Sequence, residues 1–566
     1  MNQEQPLWSA RTINQEEQKR LELLGCAPWL AAILASRGGM IEDTKGPDLH
    51  RLLRPEQLVG ASTVARHLAQ AIQQKKHIVI VADYDADGAT ACAIGVAGLR
   101  AFGAWVDYVV PDRFVLGYGL SPAVVQKALE LKPDVIVTVD NGISSHEGVL
   151  FAKKQGIEVL ITDHHLAADQ LPDAMAIVNP NVPMKHFDDG ATAGVGVMFY
   201  VLLALRSALK AQGLSDSKDV NLAQFLDRVA LGTVADLVPL TANNRLLVHA
   251  GLSRMRKGLA CPGIEALFQV SQRNSKRACT ADLSFMLGPR LNAAGRMENM
   301  AVGIECLLAT DPEKALTFAW QLNDLNQQRK SVEAEMQEEA LILVPETRKS
   351  DRLAVILQNP DWHIGVVGIL ASRIKERTRQ PTLIFALDPA GQEYKGSGRS
   401  VPGFHMRDAL SLVAVRQPKA ISRFGGHAMA AGVTVPVEQW SCFVETFEAV
   451  THELWPLESR LQTLWHDGLS EAMSVDRLQV LEQMVWGQGF TAPMFRGSWA
   501  LQEQKLVGSE HRQFSARMDG QLYRGICFNQ KDPLPEHFEA LYCWRLNEWQ
   551  GNQSVQVALC YWRYNN

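Results

Sequence analysis

Short, uninterrupted runs of apolar residues alternate with helical patterns from about residue 50 to about residue 310. Apolar runs of this length predict strands that are buried on both faces, and their alternation with helices predicts βαβ units and a mainly parallel sheet. The fold class expected for this part of the chain is therefore α/β. The predicted strands are 77–82, 106–110, 134–139, 158–162 and 176–178.

The pattern changes several times outside this region. Leucines at helical spacing precede it, and a polar stretch rich in helix formers follows it, opened by the cap Asp311-Pro312. A strand pattern at 353–357 starts a second α/β segment, and near the end of the chain Val555 and Val557 belong to an alternating, half-buried strand pattern. The predicted domains are a helical lead-in (1–50), the α/β domain (51–310), a linking helix (311–345), a smaller α/β domain (346–452) and a β-barrel of the OB type (453–566).

The first predicted strand ends in three carboxylates on alternate residues, Asp83, Asp85 and Asp87, followed by Gly88. Carboxylates gathered at the carboxyl end of a strand repel one another unless a cation lies among them. The spacing also resembles the start of a calcium loop, but Ile94 stands where such a loop needs a bidentate glutamate. We therefore expect a hard-metal site of another kind, with an exposed acidic turn as the alternative.

Two later strands end in residues of the same chemical type. The strand at 134–139 runs into Asp140, and the strand at 158–162 runs into Asp163-His164-His165. Parallel strands bring their carboxyl ends to one edge of the sheet, so these residues should meet the first three acids. Neighbouring side chains on an extended segment point opposite ways, so one histidine is expected to face the metals and the other the substrate or a nearby carboxylate.

A further acid, Asp236, lies alone in the apolar stretch 232–240. Taken by itself it is more readily explained as a helix cap or a paired core carboxylate, because charges are seldom buried without a partner. Beside the other acids it becomes a candidate metal ligand.

Composition and charge add little to the function but restrict the location. Hydrophobic residues make up 47% and charged residues 21% of the 566 residues, and the net charge of −5 neither indicates nor excludes nucleic acid as a partner. Nine scattered cysteines without a CxxC pair fit a reducing cytosol better than a zinc site or a disulfide framework. We find no signal-peptide pattern and no run of about 20 apolar residues, and therefore expect a cytoplasmic protein without a membrane span.

The motifs Asp83-Tyr84-Asp85-Ala86-Asp87-Gly88, Asp140-Asn141-Gly142, Asp163-His164-His165 and Asp236 resemble, in order, the four signature motifs of the DHH phosphoesterase superfamily. The resemblance covers the chain from about residue 50 to its end and implies a site for two divalent ions, Mn²⁺ or Mg²⁺. Many relatives carry a histidine where this chain has Val81, so one ion is expected to be held more weakly or to be completed by Asp83 and water. The ligands implied by the resemblance are Asp83, Asp85, Asp87, Asp140, His164 and Asp236.

The chemistry expected at such a site is phosphodiester hydrolysis. Two cations about 3.5–4 Å apart shield the phosphate and activate water in an in-line displacement. Carboxylates suit both Mg²⁺ and Mn²⁺, and one imidazole favours Mn²⁺. Asp140 is expected to be essential for catalysis, and His165 is expected to contact the scissile phosphate or to protonate the leaving oxygen.

Candidate substrate contacts lie on arginines and on glycine-rich segments, although surface arginines and glycine loops are also common without a binding role. The resemblance implies that Arg290 captures the 5′ end of a strand. In the barrel, aromatic residues beside arginines, as at Tyr523-Arg524 and Trp544-Arg545, suit base stacking, but aromatics in small barrels are more often core. The substrate-binding candidates are Arg113, Tyr118, Arg290, Asn292, Arg296, Arg373, Arg399, Ser400, Gly426 and His427.

The family resemblance implies an exonuclease that degrades single-stranded DNA in the 5′→3′ direction to 5′-mononucleotides, in recombination and repair. It also implies a single-strand-binding protein and a helicase as partners, and we expect a monomer. Two alternatives remain: a related phosphoesterase acting on short oligonucleotides, cyclic dinucleotides or pyrophosphate, and a catalytically silent strand-binding subunit. Related phosphoesterases typically lack the barrel, and a silent subunit would be expected to have lost several acids.

Overall fold

The predicted strands can be compared with a computed structural model of the protein, which describes residues 6–112, 116–182, 186–213, 220–348, 352–456, 460, 463–508, 510–549 and 552–564. Within these residues the strands are β1 Leu7–Ala10, β2 His77–Ala82, β3 Trp105–Val109, β4 Val135–Val139, β5 Glu158–Thr162, β6 Ala176–Val178, β7 Val355–Gln358, β8 Thr382–Leu387, β9 Glu393–Arg399, β10 Arg423–Gly426, β11 Ala430–Pro436, β12 Thr463–His466, β13 Phe495–Val507, β14 His511–Met518, β15 Gln521–Cys527, β16 His537–Trp549 and β17 Asn552–Tyr564.

Helices connect most of these strands. The α-helices of the described residues are α1 Gln15–Leu23, α2 Pro28–Ala35, α3 Ala61–Gln73, α4 Ala86–Ala101, α5 Pro122–Leu129, α6 His146–Lys154, α7 Gly194–Ala211, α8 Leu226–Ala235, α9 Ala242–Arg256, α10 Pro262–Val270, α11 Thr280–Asp282, α12 Gly288–Met297, α13 Ala301–Leu308, α14 Pro312–Arg348, α15 Val367–Thr378, α16 Met406–Arg416, α17 Trp440–Leu454 and α18 Val475–Gln483. A π-helical turn, Leu283–Leu287, precedes α12.

The first sheet is parallel throughout, in the order β3-β2-β4-β5-β6. β2 and β4 are buried along their whole length, as their continuous apolar runs predict. The bounds of β2, β5 and β6 are those predicted, and β3 and β4 differ from the prediction by one residue at their ends. The expected α/β class with a mainly parallel sheet is confirmed.

The chain divides into two compact units. The larger is built on Trp8–Asn323 and Trp465–Asn566, and the smaller mainly on Asp324–Leu464. The larger unit is therefore discontinuous in sequence. The boundary falls within α14, which begins and ends close to the predicted linking helix.

The smaller unit contains a second sheet in the order β10-β11-β9-β8-β7. Only the pair β7–β8 among its described strands is parallel, and the other pairs are antiparallel. Its apolar core includes Phe385 and Leu383 from β8 and Phe443 and Phe447 from α17. This is the smaller α/β domain expected from the sequence, with a mixed rather than a parallel sheet.

A closed barrel, β13-β14-β15-β17-β16, forms the last part of the larger unit. The parallel pair β15–β17 and the antiparallel pair β13–β16 close it, which is the arrangement of a five-stranded OB barrel. Tyr523 and Trp544 are each only 7% exposed and contact one another and Trp499 or Tyr542 through their rings. These two aromatics are therefore core residues, whereas Tyr564 is exposed.

The lead-in contains α1 and α2, which pack their apolar side through Leu21, Leu30 and Leu34. The short strand β1 was not predicted. Among the described residues one helix, α7, is long and apolar enough by length and composition to cross a membrane. Most of its side chains are buried against the rest of the protein, so it is a core helix in this structure.

Candidate metal centre

The loops that follow β2, β4 and β5 begin at one edge of the first sheet. The backbone amide of Asp83 donates to Val139 O (3.2 Å), that of Asp140 to Thr162 O (3.0 Å), and that of Asp163 to Val178 O (3.0 Å). Each acid thus extends the parallel ladder by one residue beyond its strand. Because the three are in register, the side chains that follow them converge.

The structure brings the six predicted ligand residues into one group, here called the metal-site cluster: Asp83, Asp85, Asp87, Asp140, His164 and Asp236. His164 Nε2 lies 3.1 Å from Asp140 Oδ1, 3.6 Å from Asp236 Oδ2 and 3.8 Å from Asp87 Oδ2. Candidate ligand atoms of Asp83, Asp85 and Asp140 lie within 4.8 Å of one another, and so do those of Asp87, His164 and Asp236. A third such group, Asp140, His164 and His165, shares residues with both, so the cluster is one continuous site that contains two sets of three ligands with no residue in common.

Helix ends hold two of these acids. Asp85 is the N-cap of α4, and its Oδ1 accepts a hydrogen bond from Gly88 N at 2.9 Å. Asp87 accepts from the amides of Gly194 (2.6 Å) and Val195 (2.9 Å) at the start of α7. The positive end of the helix dipole thus faces a carboxylate that is only 1% exposed.

Two other acids lie at locally unfavourable positions, one because of its charge and the other because of its backbone conformation and close packing. Asp236 follows the last residue of α8, at the negative end of that helix dipole. Asp140 is 1% exposed and has a positive φ of 62°, which is uncommon for a residue other than glycine. Its Cβ is so close to α7 that a Cβ on Gly194 would lie 2.7 Å from it. Local structure alone does not explain why these acids are placed here.

Three acids of the cluster, Asp87, Asp140 and Asp236, have raised pKa values in the metal-free protein. Burial, and then repulsion by Asp236, raises the pKa of Asp87 to about 7. Burial and then Asp85 raise the pKa of Asp236 to about 8, and burial and then Asp87 raise the pKa of Asp140 well above its ordinary value. Crowded acids therefore retain protons at neutral pH, and a cation among them would remove that cost.

Two buried polar atoms point to the same conclusion. Asp140 Oδ1 and His164 Nε2 lie 3.1 Å from each other, but neither makes a hydrogen bond of acceptable geometry within the described part of the chain. Burial lowers the pKa of His164, so its imidazole is neutral and has a free lone pair at neutral pH. Carboxylate oxygens with one neutral imidazole are a donor set for Mn²⁺ or Mg²⁺, so the residues present fit divalent metal ions.

His165 lies beside the cluster and is held by Asp163. Asp163 Oδ1 accepts from His165 Nδ1 at 2.8 Å and from the backbone amides of His164 (2.7 Å) and His165 (3.1 Å). Burial acts to lower the pKa of His165, but the hydrogen bond and charge of Asp163 raise it to about 9. The Tyr118 hydroxyl lies 3.3 Å from both ring nitrogens.

The two histidine rings are neighbours, with centroids 4.7 Å apart. The expectation that they point opposite ways was wrong, because the chain bends at His165 and is not extended there. His165 nonetheless contacts a nearby carboxylate, Asp163, as one of the expected arrangements has it.

Three residues beside the histidines were not identified as site residues from the sequence. The sequence motif contains Asp163 but assigns it no role, and neither Asn179 nor Asn181 belongs to a motif. Both asparagines donate side-chain hydrogen bonds to the His164–His165 backbone. Their position after a strand could have indicated a role at the site, because Asn179 directly follows β6 as Asp163 directly follows β5.

Three candidate substrate residues of the larger unit lie on α12: Arg290, Asn292 and Arg296. Tyr118 lies elsewhere, beside His165, and Arg113 falls outside the described residues. Asn292 Oδ1 accepts from Ala86 N (2.9 Å), which ties α12 to the start of α4. Arg290 donates to Met286 O (2.8 Å) and Asn323 Oδ1 (3.2 Å), and Arg296 lies near the end of the helix. A binding role for these residues stays a prediction.

The remaining candidates belong to the smaller unit. Arg373 on α15 pairs with Glu333 at 2.8 Å, and Arg399 at the end of β9 donates to Ser397 Oγ at 2.8 Å. Ser400 is 1% exposed and donates to Phe404 O. Gly426 ends β10, and the amide of His427 donates to Ala430 O in the turn to β11. Their role in substrate binding also stays a prediction.

Three family models match the chain. The DHH family, N-terminal domain, matches residues 77–233; the DHHA1 domain matches residues 351–453; and the RecJ OB domain matches residues 470–561. The first match contains β2 to β6 and most of the metal-site cluster, and the third contains the barrel except for the end of β17.

Relatives match over almost the whole chain. The single-stranded-DNA-specific exonuclease RecJ of Salmonella typhimurium is 44% identical over 550 residues, which are 94% of this chain and 95% of the relative. The crystal structure of RecJ in complex with Mn²⁺ from Thermus thermophilus is similar with a TM-score of 0.83 and 28% identity, over 99% of this chain and 80% of that one. The corresponding Mg²⁺ complex gives a TM-score of 0.75 and 26% identity, over 99% and 79% of the two chains.

Proposed function

The chain belongs to the RecJ family of single-stranded-DNA-specific exonucleases, and we propose that it hydrolyses single-stranded DNA in the 5′→3′ direction and releases 5′-mononucleotides. The solved RecJ structures named with Mn²⁺ and Mg²⁺ support a dependence on divalent metal ions. Two ions per molecule and a preference for Mn²⁺ are part of the proposal.

The observation that carries the proposal is the convergence of acids from three distant segments on one imidazole, which comes from a fourth. The raised pKa values of Asp87 and Asp236, and the unpartnered atoms of Asp140 and His164, are costs that a stable fold would not otherwise retain. A catalytically silent subunit has no use for this arrangement. The OB barrel argues against a phosphoesterase restricted to short substrates, because the expected single-strand interface of such a barrel spans several nucleotides.

The two groups of three ligands support two ions. Asp83, Asp85 and Asp140 would hold one, and Asp87, His164 and Asp236 the other. When bound, such a pair neutralises the phosphate and lowers the pKa of water for in-line attack. Many relatives have a histidine where this chain has the buried residue Val81, so this chain lacks an imidazole ligand at that position. Asp83 is available as an oxygen ligand instead.

His165 is the proposed hydrogen-bond donor or proton donor to the substrate. Asp163 accepts from its Nδ1 and stabilises the imidazolium, whose pKa of about 9 keeps it protonated at neutral pH in the metal-free protein. The ring then contacts the scissile phosphate or protonates the leaving oxygen. Tyr118 lies against the same ring and restricts its orientation.

Substrate binding is assigned to residues on both units. Arg290 is proposed to take the 5′ end of the strand, because a guanidinium offers paired donors to phosphate. In the barrel, Lys505 and Arg524 line a groove across β13, β14 and β15, the face on which OB barrels bind strands. The other proposed contacts are Arg113, Tyr118, Asn292, Arg296, Arg373, Arg399, Ser400, Gly426 and His427.

End-labelled single- and double-stranded DNA, incubated with and without Mn²⁺, tests the function. We expect mononucleotides from the single strand only, and only with the metal. Asp140→Ala should lower the rate by at least about 100-fold, the upper range for loss of a group that supports a metal site. Asp173→Ala, at an exposed acid paired with Lys153, is the matched control and should keep wild-type activity.

Other outcomes would refute the proposal. Wild-type turnover by Asp140→Ala would remove the metal-site cluster from the chemistry. Products from dinucleotides but not from longer strands would favour the short-substrate phosphoesterase, and binding without products would favour the silent subunit.

The proposal also includes the cellular setting implied by the family: a cytoplasmic monomer working with a single-strand-binding protein and a helicase. Light scattering of the purified protein tests the monomer, and co-purification under native salt tests the partners.

A further inference from the structure

The backbone of the two histidines lies between two asparagine side chains. Asn179 Nδ2 donates to His165 O at 2.8 Å, and Asn181 Nδ2 donates to His164 O at 2.6 Å. These carbonyls belong to consecutive peptide groups, one on each side of the His165 Cα. The two amides therefore hold both peptide planes that determine φ and ψ of His165.

Asp163 holds the same segment from the opposite side. Its Oδ1 accepts from the amides of His164 and His165 as well as from the His165 ring. The peptide between the histidines thus has its carbonyl bound by Asn181 and its N–H bound by Asp163. A rotation of this peptide, which would move both imidazoles, has to break at least one of these hydrogen bonds.

The asparagines are themselves fixed. Asn179 is 1% exposed, and its Oδ1 accepts from Asn181 N at 2.7 Å. Asn181 Nδ2 also lies 3.3 Å from Gly190 O, and a Cβ at Gly190, whose φ is 74°, would lie 2.1 Å from Asn181 Oδ1. The segment after β6 is thereby locked before it reaches the histidines.

We propose that Asn179 and Asn181 are positioning residues for the nuclease reaction: Asn181 sets the place of His164 as a metal ligand, and Asn179 sets the place of His165. The proposal rests on the proposed function of this site. It requires no contact between either asparagine and the substrate or the metal.

The expected size of the effect follows from geometry. Removing a donor leaves a partly buried carbonyl without its partner, and a displacement of about 1 Å at a catalytic group can lower a rate by about 100-fold. Loss of a group that orients a metal ligand lowers metal affinity by about 10- to 100-fold. Substrate affinity should change little, since the asparagines do not touch the strand.

Asn179→Asp and Asn181→Asp remove the amide donor and keep the shape and the acceptor oxygen. We expect kcat to fall by about 10- to 100-fold while KM for single-stranded DNA stays within about threefold. Asn181→Asp should also weaken Mn²⁺ binding, measured without DNA by calorimetry, by about 10-fold or more. Asn181→Ala, which adds no charge, should show the same direction of change.

Asn221→Asp is the matched control, because Asn221 is exposed and caps its helix through Oδ1, which aspartate retains. It should leave kcat, Mn²⁺ affinity and the melting temperature unchanged. A variant that does not fold is identified by its melting temperature, and Asn181→Ala then supplies the measurement.

A double-mutant cycle separates positioning from a general loss of structure. If Asn179 acts through His165, Asn179→Asp should lower kcat by less than about threefold in a His165→Ala background. An equal fall in both backgrounds, or wild-type kcat and Mn²⁺ affinity in the folded single variants, would overturn the proposal. Absence of nuclease activity in the wild-type protein would instead refute the proposed function, and the Mn²⁺ measurements would still test the place of His164.

Discussion

Mn²⁺ binding to the metal-free protein should release protons at pH 7. The experiment is a titration of the metal-free protein with Mn²⁺ in the absence of DNA. Three acids of the metal-site cluster, Asp87, Asp140 and Asp236, have raised pKa values in the absence of a cation. Ligands bind a metal in the deprotonated form, so their protons have to leave when the ion enters.

The number of protons follows from the pKa values. At pH 7 an acid of pKa about 8 is roughly 90% protonated and one of pKa about 7 is half protonated. Asp236 and Asp87 together therefore hold at least about one proton, which metal binding should displace, and the raised pKa of Asp140 acts in the same direction. Since protons compete with the metal, the apparent affinity should rise as the pH increases from 6 to 8 and then level off.

Calorimetry in buffers of different ionisation enthalpy measures this number. The slope of the observed enthalpy against the buffer ionisation enthalpy should correspond to at least about one proton for the wild type and to a smaller number for Asp236→Asn. A slope near zero, together with an affinity that does not change between pH 6 and 8, would refute the account of the cluster as crowded, partly protonated acids. Asp173→Asn, at an exposed acid that pairs with Lys153, should give the wild-type slope.

Three further predictions concern other parts of the larger unit. Burial raises the pKa of Asp188 to about 6 although Thr241, Asn243 and Thr192 hydrogen-bond to it. Because the pKa of Asp188 is higher in the folded than in the unfolded protein, its ionisation lowers the stability of the fold above pH 6. Asp188→Asn should therefore raise the free energy of unfolding in urea by about 1–2 kcal/mol at pH 7.5, and this gain should disappear as the pH falls through 6 towards 4. Gly295→Ala would place a Cβ 1.8 Å from Tyr84 O, so calorimetry should show weaker Mn²⁺ binding and thermal unfolding a loss of about 1–3 kcal/mol; unchanged values would contradict the close approach. Arg290→Ala should raise KM for a 5′-phosphorylated strand about 10-fold or more and abolish its preference over a 5′-hydroxyl strand, whereas a retained preference would exclude Arg290 from 5′-end capture.

The fold was predictable where the sequence pattern is strong. β2 and β5 are continuous apolar runs whose ends are marked by the acids that follow them, so their bounds could be read directly. β1 is only four residues long and lacks such a pattern. Its position depends on the rest of the fold and not on local preference, which is why it was missed.

The cluster was predictable for a related reason. Parallel strands place their carboxyl ends together whatever the sequence distance, so Asp83, Asp140 and His164 could be expected at one edge. The supporting residues could not be found in this way. Asn179 and Asn181 act through hydrogen bonds to backbone carbonyls, which any residue offers, and the sequence carries no mark of which carbonyl accepts.

In the barrel, the sequence pattern predicts the strands but does not show which side chains face the core. Tyr523 and Trp544 each stand next to an arginine, a pattern that suits base stacking and also suits a barrel strand with one face inside. Only the direction of the pleat distinguishes these cases, and it places both rings in the core. Alternation along a strand could be predicted, but which side faces inward could not.

The larger unit joins segments that the ribosome makes far apart in time. Arg37 pairs with Asp467 at 2.7 Å with both side chains almost fully buried, and Leu240 N donates to Gln488 O at 2.7 Å. The smaller unit is nearly continuous, whereas the nuclease unit gains these contacts only when the segment Trp465–Asn566 has been synthesised. Translation order would thus delay the completion of the nuclease until the segment on the far side of the smaller unit has emerged.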